Sequence, residues 1–336
     1  MAESDVPFRD PGRRRLARLA AIAMVALSCV AAPAAARDAG GPRTVGVLAE
    51  ALAATHPTVE GLKSGLRELG LEEGRDVTFD IRFSPGDADA LRRGAEAFAD
   101  AKVDLIFTIG DTATRSAQAA TPAIPIVFTL VRDPVAARFV DRLAGQGGNL
   151  TGISSLTAEL AGKRLEILKN LAPEARRVWA IHDRDDPVSL AAVANAQAAA
   201  KLLGLELVVR PVGGKAELGA AVQEIQPGDA ILAPDGGRPE IAPALLEASL
   251  VLPVPAVFPA ALYVGYGGLV SYGSDFYAEG FQAARQVERI LRGTRPGDLP
   301  VEGADKIDLA INLNTAQLLD LAVPRKVLLR ADTIRR

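Results

Sequence analysis

The stretch LIFTIGDTAT, residues 105–114, decides how this chain is read. Leu105, Ile106, Phe107 and Thr108 make an apolar or β-branched run suited to a buried strand, Gly110-Asp111 makes a turn, and Thr112 and Thr114 open a helix. In an open parallel sheet such a turn borders the ligand crevice. Strand C-termini line that crevice, and a helix start presents unpaired N–H groups with a partial positive charge. Thr108, Asp111 and Thr112 are therefore first candidates for holding a small polar or anionic group. The alternative is an ordinary turn in which Asp111 or Thr112 serves only as an N-cap.

Outward from this turn the same alternation repeats. TVGVLA (44–49) reads as a buried strand. Residues 56–71 carry Val59, Leu62, Leu66 and Leu69 at a helical period that Gly70 stops. Residues 77–83 alternate as a strand, and 87–101 form an amphipathic helix with Leu91, Ala95 and Phe98 on one face. IPIVFTL (124–130) is another buried strand, ending at Val131-Arg132-Asp133-Pro134. Four such units with short loops predict a parallel, doubly wound α/β sheet.

GGNLTGISS (147–155) breaks the rhythm and reads as a crossing between lobes rather than a core strand. Alternation then resumes, with helices over 158–171, 188–203, 216–225 and 241–250 and strands over 178–182, 205–212, 230–234 and 256–258. GGLVSYGSD (267–275) is a second crossing, followed by a helix over 276–291, a strand over 309–313 and a short helix from Asn314. Two similar lobes imply a ligand cleft between them. The expected division is 43–152 with about 272–298 as the first lobe, and 153–271 with about 299–336 as the second.

The 336 residues suffice for two cores. Charged residues, 24% of the chain, are interspersed, which fits a soluble globular protein, and aromatics at 4% argue against a many-ringed cage. Arg13, Arg14, Arg15 and Arg18 precede an apolar run over 19–32, and Ala34-Ala35-Ala36 offers a small-residue cleavage site. Residues 1–36 thus read as a secretory signal peptide, with Sec and twin-arginine export both open and periplasmic localisation expected. Cys29 is the sole cysteine, and the box before it matches a lipoprotein signal poorly. Residues 1–36 carry five of the 38 Lys+Arg and three of the 41 Asp+Glu, so the remainder holds 33 against 38. That mildly acidic balance, without a basic stripe, gives no reason to expect nucleic acid as a partner. Without Cys29 the exported chain has no thiol for a disulfide, a zinc-thiolate site or a nucleophile.

From GLKSGLRELGLEEGRDV (61–77) onward, through DLIFTIGDTAT, IPIVFTLVRDPV, GGNLTGIS, ELAGKRLEILKNLAP, GGLVSYG, ILRGTRPGDLPVE, INLNTAQLLDLAVP and LLRAD, the chain resembles the bacterial ABC-transporter substrate-binding protein family whose ligands include aromatic amino acids. The motifs span roughly 44–332. The resemblance implies a type I periplasmic-binding-protein fold: two Rossmann-like lobes, hinge strands, and a ligand trapped by closure. It also implies a small-molecule ligand, delivery to an ABC permease in the inner membrane, and a monomer without cofactor or metal.

The resemblance maps ligand contacts to Thr108, Gly110, Asp111, Thr112 and Ala113 after the third strand, and to Arg132, Asp133 and Pro134 in the next loop. In the second lobe it maps them to His182, Asp183 and Asp235, with Ser271 and Tyr272 at the crossing. Asp235 can pair with a ligand ammonium or merely cap a helix, and Tyr272 can face the ligand or pack the hinge. Family members often carry Asn and Pro after the second-lobe strand, where this chain has His182, Asp183, Arg184, Asp185, Asp186 and Pro187.

Catalysis has little support in the sequence. The two histidines are His56, which reads as a solvated helix start before Pro57, and His182 at a strand end. No G-x-S-x-G, P-loop or H-E-x-x-H motif occurs. The expectation is therefore an exported solute-binding protein taking an amino acid or related small carboxylate. An exported sensor or scaffold, or an exported enzyme using the same cleft, is the alternative.

Overall fold

In β1 (Arg43–Ala49) alternate side chains part to two faces: Val45, Val47 and Ala49 enter one core and Leu48 the other. A strand buried on both faces belongs inside a parallel sheet clad by helices. The computed structural model, which describes Met1 and residues 41–50, 56–84, 87–141, 143, 148–155 and 157–336, places it in such a sheet. Apart from Met1, the expected signal peptide, with Cys29, lies outside the described residues.

The first sheet runs β11 (Glu302–Gly303), β5 (Leu150–Ser154), β4 (Ile126–Val131), β3 (Leu105–Ile109), β1, β2 (Val77–Phe83), with every neighbouring pair parallel. α1 (Pro57–Glu68) and α9 (Phe276–Leu291) cover one face, and α2 (Ala88–Ala101) and α3 (Asp111–Ala120) the other. α1 and α9 meet almost backbone to backbone. A Cβ on Gly61 would lie 2.0 Å from the Tyr277 carbonyl oxygen, and one on Gly280 would lie 1.9 Å from that of Thr58.

The second sheet runs β13 (Thr333–Arg335), β12 (Ile307–Asn312), β10 (Val270–Ser274), β9 (Ala256–Phe258), β8 (Ala230–Leu232), β6 (Arg177–Asp183), β7 (Glu206–Val212). α4 (Thr157–Leu171) and α5 (Pro187–Leu203) pack on one face, and α6 (Lys215–Gln223) and α7 (Ile241–Val251) on the other. Both sheets fall within one compact unit, Pro42–Arg336. The chain passes between them after Ser154, after Ser274 and after Gly303.

Two expectations are corrected. Residues 150–154 are not merely a crossing: β5 is wholly buried and paired with β4 and β11. Gly152 reads as a breaker in sequence, yet it is there because a Cβ would lie 2.2 Å from the Phe128 carbonyl oxygen of the neighbouring strand. Likewise β10 is a sheet strand, and the chain turns away only at Asp275. β10 pairs antiparallel with β12, so the second sheet is mixed rather than purely parallel. β11, β13, α8 (Ala261–Gly265) and α11 (Arg325–Leu328) were unexpected; two to five residues are too few to show a period. The short helix near Asn314 is α10 (Leu313–Leu318).

Candidate ligand-binding site

The C-terminal ends of β3 and β4 face those of β6, β8 and β9, and side chains from both sheets meet there. Arg132, just beyond β4, reaches across. Its Nε donates to Asp111 Oδ2 at 2.8 Å, its Nη1 to Asp186 Oδ2 at 2.7 Å and to the Asp235 carbonyl at 3.0 Å, and its Nη2 to Asp186 Oδ1 at 3.2 Å. Space for the guanidinium exists because residue 236 is glycine at φ +77°, where a Cβ would lie 2.2 Å from Arg132 Nη1.

Burial alone would lower the Arg132 pKa, but Asp111 and Asp186 together raise it. The two carboxylates respond in opposite directions. Burial pushes Asp111 up despite Arg132, and its Oδ1 is buried without a hydrogen-bond partner. Asp186 is also pushed up by burial, but hydrogen bonds from Arg132 and Ser189 and the Arg132 charge outweigh this and hold it below the usual range. As N-cap of α5, Asp186 accepts the Ser189 N–H and hydroxyl at 2.9 and 2.7 Å, so its charge is solvated by protein dipoles.

A second arginine lies beneath. Arg164 on α4 is 1% exposed. Its Nε donates to the Tyr272 carbonyl at 2.7 Å and its Nη2 to Asp235 Oδ2 at 2.9 Å. Glu279 of α9 is equally buried. Glu279 accepts the Leu130 N–H at 2.9 Å, the Ser155 hydroxyl at 2.7 Å and a hydrogen bond from Ser274. Leu130 sits at φ +52°, an unusual conformation for leucine that this bond helps to hold.

Between these groups lies a cavity of about 240 Å³. Leu130, Arg132, Ser155, Ser274 and Phe276 line one part, and Asp235, Gly236, Arg238, Pro259, Leu262 and Tyr263 the other. Phe276 is backed by the His56 ring at 5.6 Å and Tyr263 by Phe258 at 5.1 Å, so both aromatic walls are braced. His56 is thus no solvated helix start. It is half-buried, its Nδ1 accepts the Thr58 N–H as N-cap of α1, and burial lowers its pKa. Among the described residues no cluster of three or more His, Cys, Asp or Glu is placed to hold a metal.

A family model described as ABC transporter substrate binding protein matches residues 47–335. The chain belongs to that family. A tyrosine-binding protein of Clostridioides difficile is 28% identical over 272 residues, 79% of this substrate-binding chain and 78% of its relative. A conserved domain protein from Vibrio cholerae superposes with TM-score 0.75 at 29% identity, covering 87% of this chain and 99% of that one. An ABC domain from Streptococcus pneumonia in complex with L-Trp superposes with TM-score 0.76 at 26% identity and the same coverages. More distant periplasmic-binding-type structures, such as a Rhodobacter sphaeroides ABC sugar transporter subunit at 12% identity and TM-score 0.52, share the fold.

Within this substrate-binding chain the residues singled out from sequence are dispersed. Arg132 and Asp235 line the cavity, with Asp111 one bond behind Arg132. Thr108 is fully buried and shares a 2.8 Å hydrogen bond with Thr114, and Ala113 belongs to the core of the first sheet. Gly110 is the N-cap of α3, with Asp111 and Thr112 in its first turn, outside the cavity lining. Asp133 instead accepts the N–H groups of Val135 and Ala136. His182 is buried, with Nδ1 3.0 Å from the Asp183 carbonyl oxygen, and Asp183 accepts the Asp185 N–H. Ser271 is buried in β10, and half-buried Tyr272 packs on the second-sheet core while its carbonyl serves Arg164.

Sequence reasoning missed Arg164, Glu279, Arg238, Asp186, Tyr263 and Phe276. Two of these carried a signal. Arg164 falls in the stripe Ala161, Leu165, Leu168, and Glu279 in the stripe Ala283, Val287, Ile290, so each is a charge at a core position.

Proposed function

We propose that this chain is an exported binding protein that takes an amino acid, with an aromatic side chain favoured, into the cleft between its two lobes and presents it to an ABC permease. The observation that carries this reading is the cavity itself, walled by residues from the strand ends of both sheets, so that closing the lobes adds ligand contacts. Its volume suits one small molecule, and its walls combine braced aromatic rings with a few charged groups, the usual make-up of a small-ligand site. Arg238 suits the carboxylate: its Nε is buried without a hydrogen-bond partner, and its ion-pair contact to Asp183 is long at 3.5 Å. The ring would lie against Phe276 and Tyr263. Family membership supports the permease partner, the apolar run and alanine box over residues 19–36 support export to the periplasm, and the tyrosine- and L-Trp-binding relatives support the ligand class.

Thermal unfolding of the purified protein with each of the twenty amino acids, and with a panel of sugars and nucleobases, tests the reading. A ligand at 100 times its dissociation constant adds roughly 2.7 kcal/mol, a shift of a few degrees. The expected result is a selective shift with tyrosine or tryptophan that Arg238→Ala abolishes. Shifts with sugars or nucleobases instead would refute the amino-acid assignment.

A further inference from the structure

Glu279 does not line the cavity, yet two residues that do, Ser155 and Ser274, are hydrogen-bonded to it. No described residue makes an ion pair with it, although it is 1% exposed. Its carboxylate is satisfied by hydrogen bonds from the Leu130 N–H, the Ser155 hydroxyl and Ser274. A serine hydroxyl has one proton, and a carboxylate only accepts. Burial pushes the Glu279 carboxyl up, while the hydrogen bonds from Ser274, the Leu130 N–H and Ser155 pull it down. In its ionised form, which a neighbouring cation favours, it takes the protons of both serines, whose oxygens then have only lone pairs to offer a ligand.

The charges around the cavity point the same way. The charged residues that line the cavity are Arg132, Asp235 and Arg238; Arg132 is already bonded to Asp111 and Asp186, and Arg238 contacts Asp183 and Asp185. The Asp235 carboxylate is already held by Arg164, so Glu279, which has no ion-pair partner among the described residues, is the acid left for a ligand cation to balance. A ligand donor with positive charge fits there; a second carboxylate does not.

We propose that Glu279 is a positioning residue that fixes Ser155 and Ser274 as acceptors for a ligand ammonium, making the primary amine the group this site selects. The inference rests on the amino-acid reading above and assigns the end of the cavity opposite in character to Arg238.

Calorimetric titration tests it with two matched sets: L-tyrosine, tyramine and hydroxyphenylpropanoate, and L-tryptophan, tryptamine and indolepropanoate. The expected result is that at least one amine retains binding while its deaminated partner loses about tenfold or more, the scale of a charge-assisted hydrogen bond. In Glu279→Gln, whose amide can donate where the carboxylate accepts, the preference for amine over deaminated acid shrinks by about tenfold. A purely structural role would weaken all probes alike and leave that ratio unchanged. Should Glu279→Gln fail to fold, Ser155→Ala and Ser274→Ala remove the acceptors singly and are expected to narrow the same ratio. An unchanged ratio in these variants, or deaminated acids binding as tightly as amines, overturns the inference while leaving capture in the cleft intact. No binding by any of the six overturns the aromatic amino-acid reading and this inference with it.

Discussion

Two arginines converge on Asp235 from different parts of the molecule. Arg164 stays within the second lobe: its partners, the Asp235 carboxylate and the Tyr272 carbonyl, move with the same sheet. Arg132 comes from the end of β4 in the first lobe, and its bonds to Asp186 and the Asp235 carbonyl span the cleft. Separating the lobes leaves Arg164 bonded and breaks those contacts of Arg132. The first is therefore scaffold, whose loss strands a buried carboxylate. The second is a latch, whose loss exchanges protein partners for water. Similar hydrogen bonds thus carry different free energies, according to whether water can replace them.

The largest effect expected from this contrast is that of Arg164→Ala. It leaves the Asp235 carboxylate and the Tyr272 carbonyl unpaired in the interior, and should cost about 3–5 kcal/mol in urea unfolding. A loss below about 1 kcal/mol would remove the distinction between scaffold and latch. Next comes Gly236→Ala, which combines a left-handed backbone with a clash against the Arg132 guanidinium. We expect about 1–3 kcal/mol. Repeating it with Arg132→Ala should return the clash part and keep the backbone part, so additive losses would break the argument that Gly236 makes room for the latch. Arg132→Ala alone should cost less than Arg164→Ala, about 1–3 kcal/mol, because Asp186 can turn to water while Asp111 is left buried without its partner. Its main signature should be geometric: an increased radius of gyration in small-angle scattering, with no such increase for a folded Arg164→Met.

The same contrast explains how far the sequence could be read. The helix over 276–291 and the strand over 256–258 match the structure to the residue, because long amphipathic or wholly apolar runs state their own limits. β5 was misread because the reason for Gly152 lies in the neighbouring strand, which no local pattern displays. At the site, Arg132 and Asp235 stood out as charged residues after apolar strands. Their pairing did not, since Asp235 is met from two directions by residues 71 and 103 positions away. Arg164 and Glu279 were legible as charges inside apolar stripes. Reading them required asking what a charge at a core position would bind.

Acid titration gives the finest test, because the two carboxylates on Arg132 move in opposite directions. Asp111 has a folded pKa above its unfolded value near 3.8, pushed there by burial, so the folded state binds its proton more tightly. As pH falls from neutrality toward 3.8, this group therefore makes stability rise. Asp186 is held below 3.8 by Arg132 and Ser189 against the opposing effect of burial, so its contribution is complete above 3.8 and is lost as pH falls through the depressed value. Unfolding midpoints in urea across this range should show both limbs. Asp111→Asn should flatten the limb above 3.8, and Asp186→Asn the limb below it. If either substitution altered both limbs equally, the carboxylates would titrate as one unit through Arg132, and the latch would be a single three-membered cluster rather than a bond across the cleft anchored at each end.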